Sequence, residues 1–211
     1  MLFGMMAEKT VTALSGLFLL LFLGSHLLGV GQILGGVAAV DAYAAHLHAQ
    51  PWLPLAELLI AAGFLAHFGL VLHRSWTNAR ARGPVGYQRH TSKLGRPLAA
   101  LAASSSLVTG LGLAVFLVIH LGDFRWQRAT MPSDGAAMLA LFERPDRLLL
   151  YTVAGLLVGL HLLHGVESAS RSLGLHRPER ARLIRRGGQA IAALLGLGFA
   201  GLSLWLGGQA G

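Results

Sequence analysis

The stretch Leu17-Phe18-Leu19-Leu20-Leu21-Phe22-Leu23-Gly24-Ser25-His26-Leu27-Leu28-Gly29-Val30 carries one ionisable group, His26, in an otherwise uncharged and mostly apolar run. The run extends over about residues 11–33, matching the ~20 residues that a helix needs to cross a bilayer. Four more such runs follow, over about 55–76, 98–122, 148–170 and 188–206. In hydrocarbon every backbone polar group must be paired internally, and these runs lack the alternating pattern of a barrel. The fold class read from them is all-α, an integral membrane bundle of five transmembrane helices forming one domain over 1–211.

Composition agrees. The chain is 54% hydrophobic and 12% charged, with a mean hydropathy of +0.60, where soluble domains carry about 25% charged residues. Little chain is left for a soluble domain, so a reaction on a water-soluble substrate belongs to a partner. There is no cysteine, which excludes disulfides and any cysteine-ligated zinc or iron–sulfur cluster held by this chain. The net charge of +8 is not read as nucleic-acid binding, because the basic residues gather in short connections between apolar runs.

Lys9, the six basic residues from Arg74 to Arg96 and the six from Arg171 to Arg186 fall on one side of a five-span bundle. The positive-inside bias makes that side the cytoplasm, with the N-terminus inside and the C-terminus outside. The first run exceeds a signal-peptide core and lacks a clear small-residue cleavage site, so it reads as a retained helix. Asp41 is expected to cap a short interfacial helix carrying His46 and His48.

His67, His120 and His161 each sit in a further apolar run. An ionisable side chain at membrane depth is costly without a partner, and so marks a functional position. His67 and His161 each lie about eight residues, or ~12 Å, from the inner end of their spans. His26 and His120 fall in the outer halves of theirs, with His120 several ångströms shallower. Two layers of two imidazoles suit bis-histidine haem b, one group per layer. Zinc or copper would need more ligands closer together. A proton relay would need acids between the layers. Helix–helix hydrogen bonding is the competing structural role.

Around these lie weaker signals. Gly16, Gly155 and Gly159 suit either close approach of a porphyrin or helix packing. His164 is one turn from His161, and His73 lies nearly opposite His67 on its helix. Arg74, Lys93, Arg96 and Arg171 are candidates for haem propionates, with lipid phosphate as the equal alternative. Glu57, near the outer end of the second span, is a candidate acid for quinone chemistry. Glu167 is expected to pair with Arg171 at i,i+4.

Four segments carry a family resemblance: Ser15-Gly16-Leu17-Phe18 through Phe22-Leu23-Gly24-Ser25-His26; Phe64-Leu65-Ala66-His67 with Trp76-Thr77-Asn78-Ala79-Arg80-Ala81-Arg82 and Pro84-Val85-Gly86-Tyr87; Phe116-Leu117-Val118-Ile119-His120; and His161-Leu162-Leu163-His164-Gly165 with Ser168-Ala169 and Ser172-Leu173-Gly174-Leu175-His176-Arg177-Pro178. Together they resemble the di-haem cytochrome b membrane anchor of succinate dehydrogenases and fumarate reductases. The resemblance implies that His26 and His120 hold the distal haem and His67 and His161 the proximal one. It implies a flavoprotein with covalent FAD and an iron–sulfur protein as partners on the cytoplasmic side of a bacterial inner membrane. It implies electron exchange with a quinone, menaquinone being usual in single-chain di-haem members. Some members carry a glutamate two residues before the last ligand. Gly159 stands there in this chain, which puts that proton route in doubt. A cytochrome b of another membrane dehydrogenase or a hydrogenase would share the haem layers. A histidine-using proton or metal transporter would share only the imidazoles.

Overall fold

A computed structural model describes residues 2–82 and 96–209, with side chains over 6–81 and 96–209. Lys93, Arg89 and the Pro84-Val85-Gly86-Tyr87 motif lie outside the described residues. The described chain is helical and forms α1 (Leu2–Val30), α2 (Val37–His48), α3 (Leu53–Arg82), α4 (Pro97–Ser104), α5 (Ser106–His120), α6 (Asp134–Phe142), α7 (Pro145–Ser172) and α8 (Pro178–Gly208). Prolines open α4, α7 and α8 within their first turn, where the missing N–H has no intrahelical partner to lose. Gly174, at φ +70°, closes α7, and Leu175 N–H donates back to Ser170 O at 2.9 Å.

Five segments are long and apolar enough to span a membrane: Met6–Gly35, Leu53–Ala81, Ser106–Thr130, Pro145–Ser172 and Pro178–Gly208. Their apolar windows are mostly uncovered by protein, and that of α3 buries no residue. Leu21 and Leu28 are 74% and 75% exposed. Such a belt is tolerable in lipid, where an apolar side chain gains little by leaving the solvent. The chain is a multi-pass helical membrane protein.

Four of the spans form a square. The α1 helix packs on α3 and on α7, and α5 packs on α7, with a lighter contact between α3 and α5. The diagonal pairs, α1 with α5 and α3 with α7, are not in extended contact among the described residues. The fifth span, α8, packs outside the square on α7, which is the tightest helix pair. Glycines permit this. A Cβ on Gly155 would stand 2.5 Å from Ala200 N, and one on Gly196 would stand 2.6 Å from Gly159 Cα. Gly155 and Gly159 therefore serve backbone-to-backbone approach of α8.

One end of the bundle is capped by α2 and α6. Ile33, Val40, Met138, Phe142, Tyr151 and Leu206 form its buried cluster. Asp41 does not cap its own helix, which begins four residues earlier behind Gly36 at φ +97°. Its carboxylate instead accepts from Ser133 Oγ at 2.7 Å and from Gly135 N–H at 2.9 Å, at the start of α6. A carboxylate there satisfies an otherwise unpaired amide and opposes the helix dipole. The amide of Gly135, then the Ser133 hydroxyl, hold the Asp41 pKa below its ordinary value. The opposite end carries Arg74, Arg80, Arg96, Arg171 and the arginines that open α8.

The expected third span, 98–122, is displaced. Its first part is the separate helix α4, and the chain bends at Ser105, with φ −92° and ψ 0°. Ser104 and Ser105 both donate to Leu101 O, and Ser106 donates to Ala103 O. Such back-bonding competes with the backbone ladder and bends helices. At the other end the span continues through a π-helical turn, Leu121–Arg125, and reaches Thr130. The connection after it contains α6, and the second basic stretch is largely helical because α8 begins at Pro178.

Candidate functional site

The four span histidines lie on the four helices of the square, in two levels. His26 on α1 and His120 on α5 face each other across one diagonal, ring centres 5.7 Å apart and nearly perpendicular. Phe22 stacks on His26 at 5.4 Å and Phe116 on His120 at 5.6 Å. The shallow position expected for His120 is corrected by the longer span. Ten residues now follow it within the span, up to and including Thr130, where the boundary at 122 left two.

His67 on α3 and His161 on α7 stand on the two helices of the other diagonal. His67 meets α1 at Thr12 and Gly16, and His161 meets α5 at Thr109 and Gly110. Along α1, Gly16 and His26 are ten residues apart, and along α5, Gly110 and His120 are ten apart. At ~1.5 Å per residue the two levels are separated by about 15 Å.

Each level is fixed by hydrogen bonds to neighbouring helices. His67 Nδ1 lies 3.1 Å from Thr12 O. A carbonyl only accepts, so Nδ1 carries the proton and the ring's lone pair is on Nε2. His161 Nδ1 lies 3.1 Å from Thr109 Oγ1, whose own proton goes to Ser106 O at 3.1 Å. The threonine oxygen then accepts, and His161 takes the same tautomer. His120 Nδ1 lies 3.3 Å from the Tyr151 hydroxyl, which donates to Asp123 Oδ2 at 3.0 Å. Arg147 Nη2 closes the series on Asp123 Oδ1 at 3.1 Å. Three of the four imidazoles are thus oriented through Nδ1 with Nε2 basic, the arrangement that fixes a histidine as a metal ligand.

The residues suit a metal already held in a macrocycle better than a bare ion. Among the described residues no three of His, Asp and Glu converge on one point, as a protein-only zinc site requires. Two imidazoles facing each other across the bundle, as His26 and His120 do with ring centres 5.7 Å apart, could hold the iron of a porphyrin between them.

Glu57 and Arg125 form a bidentate pair, with Nε to Oε1 and Nη2 to Oε2 both at 3.0 Å. The pair ties α3 to the turn that follows His120. Arg74 is seven residues beyond His67 on α3, on nearly the same face and towards the basic end. Arg171 bonds Glu167, as expected, and Arg96 lies 3.8 Å from the same carboxylate oxygen. His73 is exposed, and so are His46 and His48. The ring partners Thr12, Thr109, Tyr151 and Asp123 did not stand out in the sequence. One signal was available for Asp123, an acid one turn beyond His120 at the end of an apolar run.

The fold and these residues define a helical membrane protein with paired histidines inside its bundle. No protein-family model, curated protein or solved structure matches the chain.

Proposed function

We propose that this chain is the di-haem cytochrome b membrane anchor of a succinate:quinone or fumarate:quinol oxidoreductase, in a bacterial cytoplasmic membrane. The observation that carries the reading is the His26–His120 pair, facing across one diagonal of the helical square, with His67 and His161 on the other two helices one level away. Haem b would supply one-electron chemistry when bound. The chain's residues would do the holding, His26 and His120 at the capped end and His67 and His161 at the basic end. Thr12, Thr109 and Tyr151 keep the rings in the ligating tautomer. Gly16 and Gly110 leave room for the rings of His67 and His161, since added Cβ atoms would stand 2.9 and 3.3 Å from them.

The basic end is taken as cytoplasmic, by the positive-inside bias. It is the face for the iron–sulfur and flavoprotein partners, which carry the clusters and FAD. Arg74 is placed to meet a propionate of the inner haem. Arg171 is a weaker candidate because Glu167 already engages it. Glu57, held by Arg125 five residues beyond His120, is the proposed proton acceptor when quinol, in this reading menaquinol, is oxidised.

A reduced-minus-oxidised spectrum of the purified chain tests this. A b-type α band with two haems per chain is expected, with the flavoprotein and iron–sulfur subunits co-purifying. No α band overturns the haem reading. Two haems without those partners would move the chain to the cytochrome b of another membrane dehydrogenase or a hydrogenase.

A further inference from the structure

We propose that Asp123 and Tyr151 are positioning residues that set the reduction potential of the haem held by His26 and His120, with Arg147 opposing them; this rests on the haem reading above. The π-helical turn that starts directly after His120 carries Asp123 back against α7. Tyr151 is buried and the Asp123 side chain is only 8% exposed. A buried carboxylate is costly unless it is paired and hydrogen-bonded. Arg147 and Tyr151 supply those partners here.

The direction of the effect follows from who donates. Tyr151 gives its proton to the carboxylate, so its oxygen is enriched and accepts from His120 Nδ1–H. A stronger acceptor on Nδ1 gives the imidazole more anionic character at Nε2. That favours ferric over ferrous iron and lowers the potential. Arg147 draws charge from the same carboxylate and works the other way. Among the described residues the inner level has no such device, for the Nδ1 acceptors there are a backbone carbonyl and a threonine hydroxyl, both neutral. The tuning is therefore confined to one haem.

Optical redox titration of the purified full-length chain reads this directly. Asp123→Asn is expected to shift one haem's reduction equilibrium about tenfold towards ferrous, a rise of about 59 mV for a one-electron couple, and to leave the other haem in place. Tyr151→Phe raises the same haem, while Arg147→Gln lowers it. A purely structural role would not give opposite signs for Asp123 and Arg147. Unmoved potentials, equal shifts of both haems, or shifts of the same sign overturn the proposal. If Asp123→Asn does not retain haem, Arg147→Gln decides alone: a fall confined to one haem supports the tuning, and any other result overturns it. A native chain with no haem overturns the underlying reading, which is distinguishable from native haems with unmoved variants.

Discussion

Gly16→Ala should remove the inner haem while leaving the fold nearly untouched. A Cβ at Gly16 would stand 2.9 Å from His67 Cε1 and 3.2 Å from Nδ1, where ordinary contact is 3.4–4 Å. The obstacle is the far end of a side chain, so the ring yields rather than the backbone. It must move by about 0.5–1 Å to restore that contact. His67 Nδ1 to Thr12 O is 3.1 Å at present, and such a move carries it beyond the ~3.2 Å limit of a good N–H···O bond. Losing that bond costs about 0.5–1.5 kcal/mol, and the alanine returns up to ~1 kcal/mol of helix propensity. Global stability should therefore change by less than about 1 kcal/mol. Ligation is less forgiving, since disturbing an outer-shell partner of a ligand typically costs ~10–100-fold in metal affinity. The assay is haem per chain by difference spectroscopy, with detergent unfolding alongside. Gly24→Ala is the control, because nothing lies within 4 Å of that position on the same helix. Two haems with unchanged spectra in Gly16→Ala would refute the placement of His67 as a ligand against α1.

His26→Ala and His67→Ala should each abolish a different haem in the spectrum; loss of the same component in both contradicts the diagonal pairing. Gly196→Ala meets only backbone, at 2.6 Å from Gly159 Cα and 3.0 Å from its N, so α7 and α8 must separate at an overpacking cost of about 1–3 kcal/mol. Gly201→Ala faces open space and should be near neutral; equal unfolding curves for the two variants would refute the α7–α8 contact. Asp41 has a depressed folded pKa, set first by the Gly135 amide, so its contribution is present above the unfolded carboxyl's pKa and is lost as pH falls through the folded value. Hydrogen-exchange protection of the first α6 amides should then fall on acidification, and Asp41→Asn should abolish that dependence; identical pH profiles in the two proteins count against the latch. Glu57→Gln should slow quinol oxidation by about 100-fold, the lower range for a general acid–base group, with both haems retained; an unchanged rate removes Glu57 from the quinone site.

The spans were legible because lipid imposes a blunt rule, length and lack of charge. The same rule misplaced the third span. Leu98 to Ala103 is as apolar as the helix that follows it, and only the back-bonding of Ser104, Ser105 and Ser106 separates the two. Asp123 and Arg125 read as the end of a span, yet the helix continues through them because each has a partner, Tyr151 and Arg147 for one and Glu57 for the other. Hydropathy counts a charge without knowing its partner. Asp41 misled in a related way. An acid before an apolar stretch reads as a cap for its own helix, but the amides it bonds belong to a segment 94 residues later. The four histidines were readable by type and depth, whereas Thr12, Thr109 and Tyr151 are ordinary residues whose role comes only from facing a ring.

Hydrogen bonding between helices and axial ligation were competing explanations for these histidines, and the geometry lets one ring serve both. His67 does bridge α3 to α1, and His161 bridges α7 to α5, each through Nδ1 and along a side of the square. If that were their whole task, the bridged helices would be the only ones that matter. Instead the partner of each histidine in depth sits across the diagonal, on a helix with which its own makes no extended contact. A bridging imidazole needs one neighbour. Imidazoles paired at two depths of a lipid-embedded bundle are costly without a use, and a group held between the rings of one level, as proposed, would supply it. In that reading the sides of the square engage Nδ1 of His67 and His161, which leaves Nε2 for the bound group.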